Sequence, residues 1–485
     1  MDLRKSIPLL ALFLLAKCEN GTEDAITDSN AINSENTSPE SAILCNVCAC
    51  TDGYVNCSGR ALQNHFEDSQ WSNVTAKEIS FERNRLVHLT PFPKIIVEKI
   101  ILRKNQISTI DRRAFKELVN LTELDLSSNQ LTSERLGPHI FEGQFSPEAY
   151  EPLPLKILNL SFNILQWLHQ SIFEHMVSIE VLDLSGNPFG VFDYRTSIAI
   201  TSLSYLQELN LSYCKLKELP NLQFHNARHL KKLSLAVNEF TNLPRSLEEA
   251  EVLEYLNLDG NPIRVINNAN AFPNLTKLRE LSLCNMPNLT TIGNGGLSGL
   301  IGLEDLRVRN CKKLEVIEEY SIAVTTTRGM VWPMLKKLDL SSNAIQYLPS
   351  LLLDRWDKLE ELHLMHNRWS CDCQNQYLVT TILPEYAEKK KTKVEELTCS
   401  APPEHAGKSL ASLADRHLRC LDLYDARPEK DAAILVGMLI GLLIAIPVGM
   451  ALFAFWRRGF FFCGSQGPAS FSRAFYKRAS NDDDI

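Results

Sequence analysis

Eight of the thirteen cysteines fall into two groups whose spacing suits disulfide or metal chemistry. The Cys45-x-x-Cys48 spacing also occurs in zinc sites, whereas paired groups in a secreted chain are typical of disulfides. Four cysteines allow three pairings, so spacing alone leaves the connectivity open. The N-terminal group is Cys45, Cys48, Cys50 and Cys57, and the C-terminal group is Cys371, Cys373, Cys399 and Cys420.

The first residues of the chain favour the disulfide interpretation. Residues 1–18 have a basic start, an apolar run and small residues near Cys18, which is the pattern of a cleaved signal peptide. A bacterial lipidation site is the alternative, because a cysteine ends the run, but Lys17 fits such a site poorly. Residues 19–44 are rich in Asn, Ser, Glu and Thr, and we expect them to be disordered.

Asparagine sequons are a second chemical feature of the chain. An N-x-S/T sequence is the acceptor of N-linked glycans in secreted proteins and lies on the surface. We therefore expect a glycoprotein. The nine sequons begin at Asn20, Asn36, Asn56, Asn73, Asn120, Asn159, Asn210, Asn274 and Asn288.

No enzyme motif accompanies these residues in the sequence. It contains no HExxH, GxSxG or Walker loop, and the glycines of 293–299 lack the βαβ unit that a phosphate loop needs. A net charge of −8 and a pI of about 5.8 leave no basic footprint for nucleic acid. The basic run at 389–391 is flanked by glutamates and is expected to be a solvated helix surface. We therefore expect a binding protein without catalytic activity, metal or cofactor.

The elements that position these residues are copies of one eleven-residue motif, clearest at 121–131 as L-x-x-L-x-L-x-x-N-x-L. Leu124 and Leu126 alternate with polar neighbours, as in a short strand with one face in a core, and Ser127 is expected to face solvent. Asn129 then turns inward, where its amide can satisfy backbone groups that would otherwise be unpaired. This motif is the signature of a leucine-rich repeat, which buries its apolar face only when stacked.

Twelve copies of the motif follow one another, mostly 21–27 residues apart. We expect an α/β leucine-rich-repeat solenoid over 74–369, with a curved parallel sheet on its concave side. Long steps insert 135–154 and 318–333, which should bulge on the convex side or edge. Cysteine substitutes for Asn at the ladder position, Met286 interrupts the ladder, and Cys284 is expected to face outward. The ladder positions are Asn84, Asn105, Asn129, Asn163, Asn187, Cys214, Asn238, Asn261, Met286, Cys311, Asn343 and Asn367.

The two cysteine groups resemble the terminal caps of extracellular leucine-rich-repeat proteins. The spacing within 45–73 is similar to the N-terminal cap, although Asn46 stands where proline is usual, and 370–425 closely resembles the C-terminal cap. Such caps cover the open apolar ends of a solenoid. In the N-terminal cap, the resemblance implies that the first cysteine pairs with the third and the second with the fourth. In the C-terminal cap it implies the bridges Cys371–Cys399 and Cys373–Cys420.

Residues 432–456 are uncharged and long enough to cross about 30 Å of hydrocarbon. Two arginines follow at once, so we expect the repeats outside the plasma membrane and the tail, 457–485, in the cytoplasm. Gly437-x3-Gly441 is a candidate face for a helix dimer. Cys463 is a candidate palmitoylation site.

Over residues 45–456 the chain resembles single-pass type I membrane leucine-rich-repeat proteins of animal cell surfaces. This group includes trophoblast glycoprotein and neuronal leucine-rich-repeat receptors. The resemblance implies the fold and the membrane placement, but its members differ widely in ligand. We expect a receptor or co-receptor that binds an extracellular protein ligand and acts through partner chains. A cell–cell adhesion protein is the alternative, and innate-immune recognition is a weaker one because the tail is too short for a folded signalling domain.

The concave strands present the candidate binding face. Exposed apolar residues on adjacent strands suggest an interaction site, although packing against the 135–154 insertion or a sugar would also explain them. Glycans on Asn159 and Asn210 would flank these residues, whereas 255–366 has no sequon that points from the concave sheet. The candidate residues are Ile157, Phe162, Val181, Tyr213, Tyr255, Arg307 and His363.

The last residues, Asp482-Asp483-Asp484-Ile485, match the ligand of a PDZ groove. In such a groove the tail adds as a strand, the terminal carboxylate enters a backbone nest and the last side chain fills an apolar pocket. Asp483 suits the acidic preference of one PDZ subclass, and a merely solubilising acidic end is the alternative. We therefore expect the tail to attach to a cytoplasmic PDZ scaffold through Ile485.

Overall fold

The computed structural model describes only part of the chain. The leader, the sequons Asn20, Asn36 and Asn73, and the tail residues Cys463, Asp483 and Ile485 lie outside the described residues, so the expectations on them remain predictions. The described residues are 43–71, 74–145, 147, 149–221, 223–327, 329–353, 359–390, 397–420 and 428–457.

Twelve short parallel strands, one from each repeat unit, make up most of a fourteen-stranded sheet in the described part of the chain. The sheet order is β1-β2-β3-β5-β7-β10-β11-β12-β13-β14-β16-β18-β22-β23. The strands in chain order are β1 (Ala49–Thr51), β2 (Tyr54–Asn56), β3 (Thr75–Ser80), β4 (His88–Leu89), β5 (Ile96–Ile101), β6 (Thr109–Ile110), β7 (Glu123–Asp125), β8 (Gln144–Phe145), β9 (Tyr150–Glu151), β10 (Ile157–Asn159), β11 (Val181–Asp183), β12 (Glu208–Asn210), β13 (Lys232–Ser234), β14 (Tyr255–Asn257), β15 (Val265–Ile266), β16 (Glu280–Ser282), β17 (Thr291–Ile292), β18 (Asp305–Arg307), β19 (Val316–Ile317), β20 (Val324–Thr326), β21 (Gly329–Val331), β22 (Lys337–Asp339) and β23 (Glu361–His363).

Helices are short in the repeats and long only near the C-terminus. The α-helices are α1 (Tyr194–Thr201), α2 (Leu383–Lys390) and α3 (Pro428–Arg457). The described 3-10 turns are Ile43–Asn46, Asp68–Trp71, Pro138–Ile140, Arg245–Glu249, Asn268–Asn270, Ser350–Leu353, Cys373–Asn375 and Leu410–Leu413, and one π turn is Leu378–Ile382. The predicted α/β leucine-rich-repeat solenoid is confirmed.

Inward-facing asparagine amides join each coil to the one before it. The Asn129 Nδ2 donates to the carbonyl oxygens of Leu102 and Leu126, each at 3.0 Å. Its Oδ1 accepts the Ile107 N–H at 3.0 Å. At Cys214 the Sγ lies 3.4 Å from the Leu184 carbonyl oxygen, so the thiol reaches the carbonyl that an amide would reach. Because buried backbone groups must be paired, this ladder fixes how the coils stack.

The residue just before each ladder position, here named the turn position, lies in the left-handed region in all twelve described units. Its φ ranges from 51° at Val237 to 71° at Gly186. This turn rotates the preceding residue inward, so the expectation that Ser127 and Cys284 face outward is wrong. Ser127 is buried and Cys284 has no exposed surface. The inward rotation is fixed by the Asp125 Oδ1, which accepts the Ser127 N–H at 2.9 Å.

The two insertions leave the concave sheet uninterrupted, as expected. Strand β7 pairs directly with β10 and β18 pairs directly with β22, with the core leucines in register. Each insertion instead contains an antiparallel hairpin, β8–β9 in the first and β20–β21 in the second. A further parallel sheet, β15–β17–β19, joins the units whose ladder positions are Asn261, Met286 and Cys311. The two-stranded sheet β4–β6 joins the units of Asn84 and Asn105 in the same way, so such pairing accompanies both intact and interrupted parts of the ladder.

Disulfides close both ends of the repeat stack. Cys45 is bonded to Cys50 and Cys48 to Cys57, which is the N-terminal pairing that the resemblance implies. Cys371 is bonded to Cys399. Cys373 and Cys420 are disulfide-bonded as well. Because these cysteines are oxidised, they are not zinc ligands.

The C-terminal helix α3 is a unit of its own. The stretch Ala432–Arg457 is long and apolar enough to span a membrane. Gly437 and Gly441 lie one turn apart on this helix, on the same side. Helix pairing and the orientation in a membrane remain predictions.

We predict that Asn187→Ala lowers the free energy of unfolding by about 3 kcal/mol, since three buried backbone groups each lose a bond worth roughly 1 kcal/mol. These groups are the carbonyls of Leu160 and Leu184, both at 2.9 Å, and the Leu165 N–H at 3.1 Å. The melting temperature of the purified full-length protein in detergent measures the loss.

Two further variants control for this substitution. Asn187→Cys should cost less, because a thiol at this position reaches one of the same carbonyls, and the exposed Asn242→Ala should have no effect. An equal melting temperature for Asn187→Ala and Asn242→Ala would contradict the role of the ladder.

Candidate binding face

Parallel register aligns equivalent residues of neighbouring coils into rows on the concave face. On β10 and β11, Ile157 lies beside Val181 and the core residues Leu158 and Leu182 pair in the same way. Neighbouring strands are about 4.8 Å apart, so side chains in one row are in contact range. Each unit therefore presents two outward strand positions, one before and one after its first core leucine, together with its turn position.

Four apolar residues of the coils that contain β10, β11 and β12 are here named the apolar patch. They lie in two pairs on the concave face, Ile157 beside Val181 and Phe162 near Tyr213. Phe162 is 54% exposed, Tyr213 37% and Ile157 36%, whereas Val181 is half-buried. The rings of Phe162 and Tyr213 lie 6.5 Å apart between centroids. Sequence reasoning placed these residues outward, and the structure brings them together.

A glycine makes room for the Phe162 ring. Gly186 occupies the turn position of the coil between Phe162 and Tyr213. A Cβ on Gly186 would lie 2.5 Å from Phe162 Cδ1, so the ring rests on the glycine backbone. Any larger residue at this position would displace the ring.

The 135–154 insertion makes its polar contacts away from the apolar patch. The Tyr150 hydroxyl bonds His175 Nδ1 at 2.6 Å, and Glu142 pairs with Arg112 and Arg113 at 2.9 and 2.6 Å. Gln144 Nε2 donates to Glu117 at 3.3 Å. These partners lie outside the concave strands, so packing against the insertion does not account for the patch.

Two sequon asparagines lie beside the patch, between core leucines. Asn159 Oδ1 accepts the Ser161 N–H at 2.9 Å, and Asn210 Oδ1 accepts the Ser212 N–H at 3.1 Å. Asn210 Nδ2 also donates to Asp183 at 3.1 Å. Both asparagines are half-buried with their amides held towards the turn. Of the other described sequons, Asn288 is half-buried and the exposed ones are Asn56, Asn120 and Asn274.

Ion pairs between strands occupy the first strand position on either side of the patch. Lys99 lies 2.9 Å from Glu123 and 3.5 Å from Glu78, and the hydrogen bond to Glu123 raises the pKa of Lys99. Lys232 pairs with Glu208 at 2.7 Å. Cross-strand pairing of opposite charges stabilises neighbouring strands. The patch is thus an uncharged interval in a charged row.

The other three candidate residues lie on alternate strands further along the sheet. Tyr255 is on β14, Arg307 on β18 and His363 on β23, with one strand between each pair. Arg307 and His363 lie in the row after the first core leucine and Tyr255 in the row before it. The three form a diagonal line across the concave face and do not join the apolar patch. His363 is exposed, whereas partial burial raises the pKa of Tyr255.

Arg307 is held in place by acidic neighbours. Its Nη2 lies 2.6 Å from Asp305 and 3.8 Å from Glu280. The hydrogen bond to Asp305 raises the pKa of Arg307. Asp305 stands at an outward strand position but is buried, because the guanidinium covers it. Strand alternation predicts an outward side chain at this position, but it does not show that a residue two places away folds over the carboxylate.

Sequence reasoning missed a buried polar cluster beneath this line. Asp259 Oδ1 accepts the Ser282 hydroxyl and the Cys284 N–H, both at 2.7 Å. Burial raises the pKa of Asp259. Six of the other eleven units place Ser or Ala at this position and none places an aspartate, so the aspartate was the available signal.

Comparisons with known proteins agree with this architecture. A leucine-rich-repeat family model matches 96–143 and 204–263, and a second one matches 333–347. Mouse Tsukushi is 28% identical over 273 residues, covering 50% of this chain and 71% of Tsukushi. Mouse Podocan-like protein 1 is 28% identical over 322 residues, covering 60% of this chain and only 56% of that protein. The chain is thus related to leucine-rich-repeat proteins of the extracellular type.

A solved complex also contains a chain similar to this one. It is the octameric complex of Latrophilin 3, Unc5D and FLRT2, in which one chain matches with a TM-score of 0.46 and 19% identity. The match covers 75% of this chain and 96% of that chain.

We predict that Phe162→Ser and Tyr213→Ser leave display of the full-length protein at the cell surface unchanged. Leu160→Ser should cause retention, because Leu160 has no exposed surface and a hydroxyl there would lose solvent without gaining a partner. Surface staining of a tagged chain, normalised to its total amount, measures display. Equal retention of all three variants would show that the apolar patch belongs to the core.

Proposed function

We propose that the protein is a cell-surface receptor or co-receptor that binds an extracellular protein ligand and acts through partner chains. The observation that carries the proposal is the concave sheet, whose outward side chains form continuous rows across twelve coils. Extended concave sheets are the binding surfaces of solenoid proteins. In the described residues, the hairpins of both insertions leave this sheet uninterrupted.

Two features support an extracellular position for the repeats. Disulfides at both ends of the stack are stable in an oxidising compartment. The stretch Ala432–Arg457 is apolar and is followed by a second arginine, Arg458, which favours a cytoplasmic side for the tail. The arrangement of two cysteine caps and one apolar helix supports a kinship with trophoblast glycoprotein and the neuronal leucine-rich-repeat receptors.

The ligand is proposed to dock on the line formed by Tyr255, Arg307 and His363. Tyr and Arg are the residue types that most often dominate binding energy at protein interfaces. The pairing of Arg307 with Asp305 fixes the guanidinium before a ligand arrives, which reduces the entropy lost on binding. No sequon lies on the concave strands from β13 to β23. A protein partner therefore meets side chains there without intervening sugars.

We predict that the double substitution Tyr255→Ala with His363→Ala abolishes ligand binding without loss of surface display. Proximity labelling from an ectodomain fusion of the full-length protein, on living cells, should show surface partners that disappear with this variant. The matched control is Tyr205→Ala with His229→Ala. These residues are of the same types, stack at 6.1 Å and lie outside the concave strands.

Two results would contradict this assignment. If the wild type, the double variant and the control all label the same partners, the ligand binds elsewhere on the protein. Aggregation of transfected cells with one another would instead identify an adhesion protein.

A further inference from the structure

The sequons at Asn159 on β10 and Asn210 on β12 share a feature that the other seven lack. Asn159 is followed three residues later by Phe162, and Asn210 by Tyr213. At the other sequons the same place is held by Glu, Pro, Gly, Ala, Lys or Thr. Each aromatic residue occupies the turn position of its own coil. A sequon and an aromatic residue at the turn position therefore occur together in both of these coils.

Other coils provide an internal comparison. Four further units have Asp or Asn at the strand position of Asn159 and the same side-chain bond to the N–H two residues later. None of the four is a sequon, and their turn positions hold only serine or glycine. The sequon Asn56 on β2 makes the same bond to the Ser58 N–H but is followed at the turn by Gly59, so it has no ring beside it. The pairs are Asp125 with Ser128, Asp183 with Gly186, Asn257 with Gly260, and Asp339 with Ser342.

An aromatic residue is an unfavourable choice for this backbone. The φ angle is 53° at Phe162 and 59° at Tyr213, in the region where bulky side chains are least tolerated. Both rings are also substantially exposed. The two rings thus carry a conformational cost without the burial that normally offsets it, and a ligand that covers them would offset that cost.

The carboxamide of each sequon asparagine is bent towards the turn that carries the ring of its own coil. The bond from Asn159 Oδ1 to the Ser161 N–H bends the carboxamide back to the residue that directly precedes Phe162. Asn210 is held in the same way by the N–H and hydroxyl of Ser212, at 3.1 and 2.7 Å. One face of the Phe162 ring lies on Gly186, which leaves the other face open.

We infer that Phe162 and Tyr213 are a stacking platform for the first N-acetylglucosamine of glycans attached to Asn159 and Asn210. Transfer breaks the bond between the sugar C1 and an oxygen of the lipid diphosphate, which leaves with the electron pair. The amide nitrogen forms a bond to that C1 and loses one proton. The remaining amide proton can still donate a hydrogen bond, as Asn210 does to Asp183. The C–H groups of one sugar face are weakly positive and match the negative face of an aromatic ring.

This platform rests on the extracellular placement in the proposed function and refines it. Sugars that lie on the rings close the apolar patch to protein partners. The protein ligand is then directed to the strands from β14 onwards, where the line of Tyr255, Arg307 and His363 begins. The concave face is thereby divided into a sugar-covered half and a protein-binding half.

Release of glycans from the native full-length protein by an amidase tests the platform. The enzyme converts each released asparagine to aspartate, so mass spectrometry gives a rate for every sequon. Release at Asn159 should be at least tenfold slower than at the exposed Asn274 in the same molecule. Phe162→Ser and Phe162→Leu should raise the Asn159 rate towards that of Asn274, because neither side chain has a ring, whereas Phe162→Tyr should retain protection.

A second measurement separates stacking from crowding. Ser161→Ala removes the sequon but keeps the bond from Asn159 to the backbone N–H of residue 161. It should lower the melting temperature of the wild-type protein and leave that of Phe162→Ser unchanged, since the glycan stabilises only through the ring. Equal shifts in both backgrounds would overturn the inference.

Occupancy distinguishes the possible failures. An unmodified Asn159 in a chain that is glycosylated at Asn120 and Asn274 would overturn the platform and leave the extracellular placement intact. A chain with no glycan at any sequon would overturn both the platform and the extracellular placement. An Asn159 release rate that Phe162→Ser and Phe162→Leu do not change would overturn the platform alone.

Discussion

The structure depends on the need to pair backbone groups that each coil buries where its strand turns away from the sheet. An amide at the ladder position is well suited to this task, because it donates to two carbonyls and accepts one N–H. Asn129 does so across three residues from two coils. Since the same bonds recur from coil to coil, they set the stacking distance and the register. The rows of the concave face are a direct consequence.

The interrupted part of this ladder coincides with the proposed protein-binding half. Met286 and Cys311 lie at successive ladder positions, and the additional sheet β15–β17–β19 joins these units on the other side of the solenoid. The Cys311 Sγ still reaches the Leu283 carbonyl oxygen at 3.2 Å. Burial raises the pKa of the equivalent Cys214 thiol to about 12, so a thiol at this position stays protonated and can donate. The concave rows of side chains thus continue from units with a ladder amide to units that have a thiol or methionine there and the additional sheet.

The local sequence was sufficient to predict the fold but insufficient to predict the orientation and burial of several side chains. The repeat count follows from the sequence because every unit spells out its own strand and ladder residue. The orientations of Ser127 and Cys284 do not follow from alternation, since a left-handed residue rotates them inward. The burial of Asp305 depends on Arg307, two residues away in the chain, folding over it. The gathering of Phe162, Gly186 and Tyr213 depends on three coils stacking in register, which local pattern alone does not place in space.

Labelling of introduced cysteines tests most directly the claim that the turn position decides which side chains face a partner. Ser127→Cys and Ser128→Cys are adjacent in the chain, but Ser127 is buried and Ser128 is half-buried in the turn position. In the native full-length protein, a water-soluble maleimide should modify Ser128→Cys at least about a hundredfold faster than Ser127→Cys. The native thiol of Cys214 should stay protected throughout, because it is buried. Equal rates at 127 and 128, or faster labelling at 127, would contradict the account.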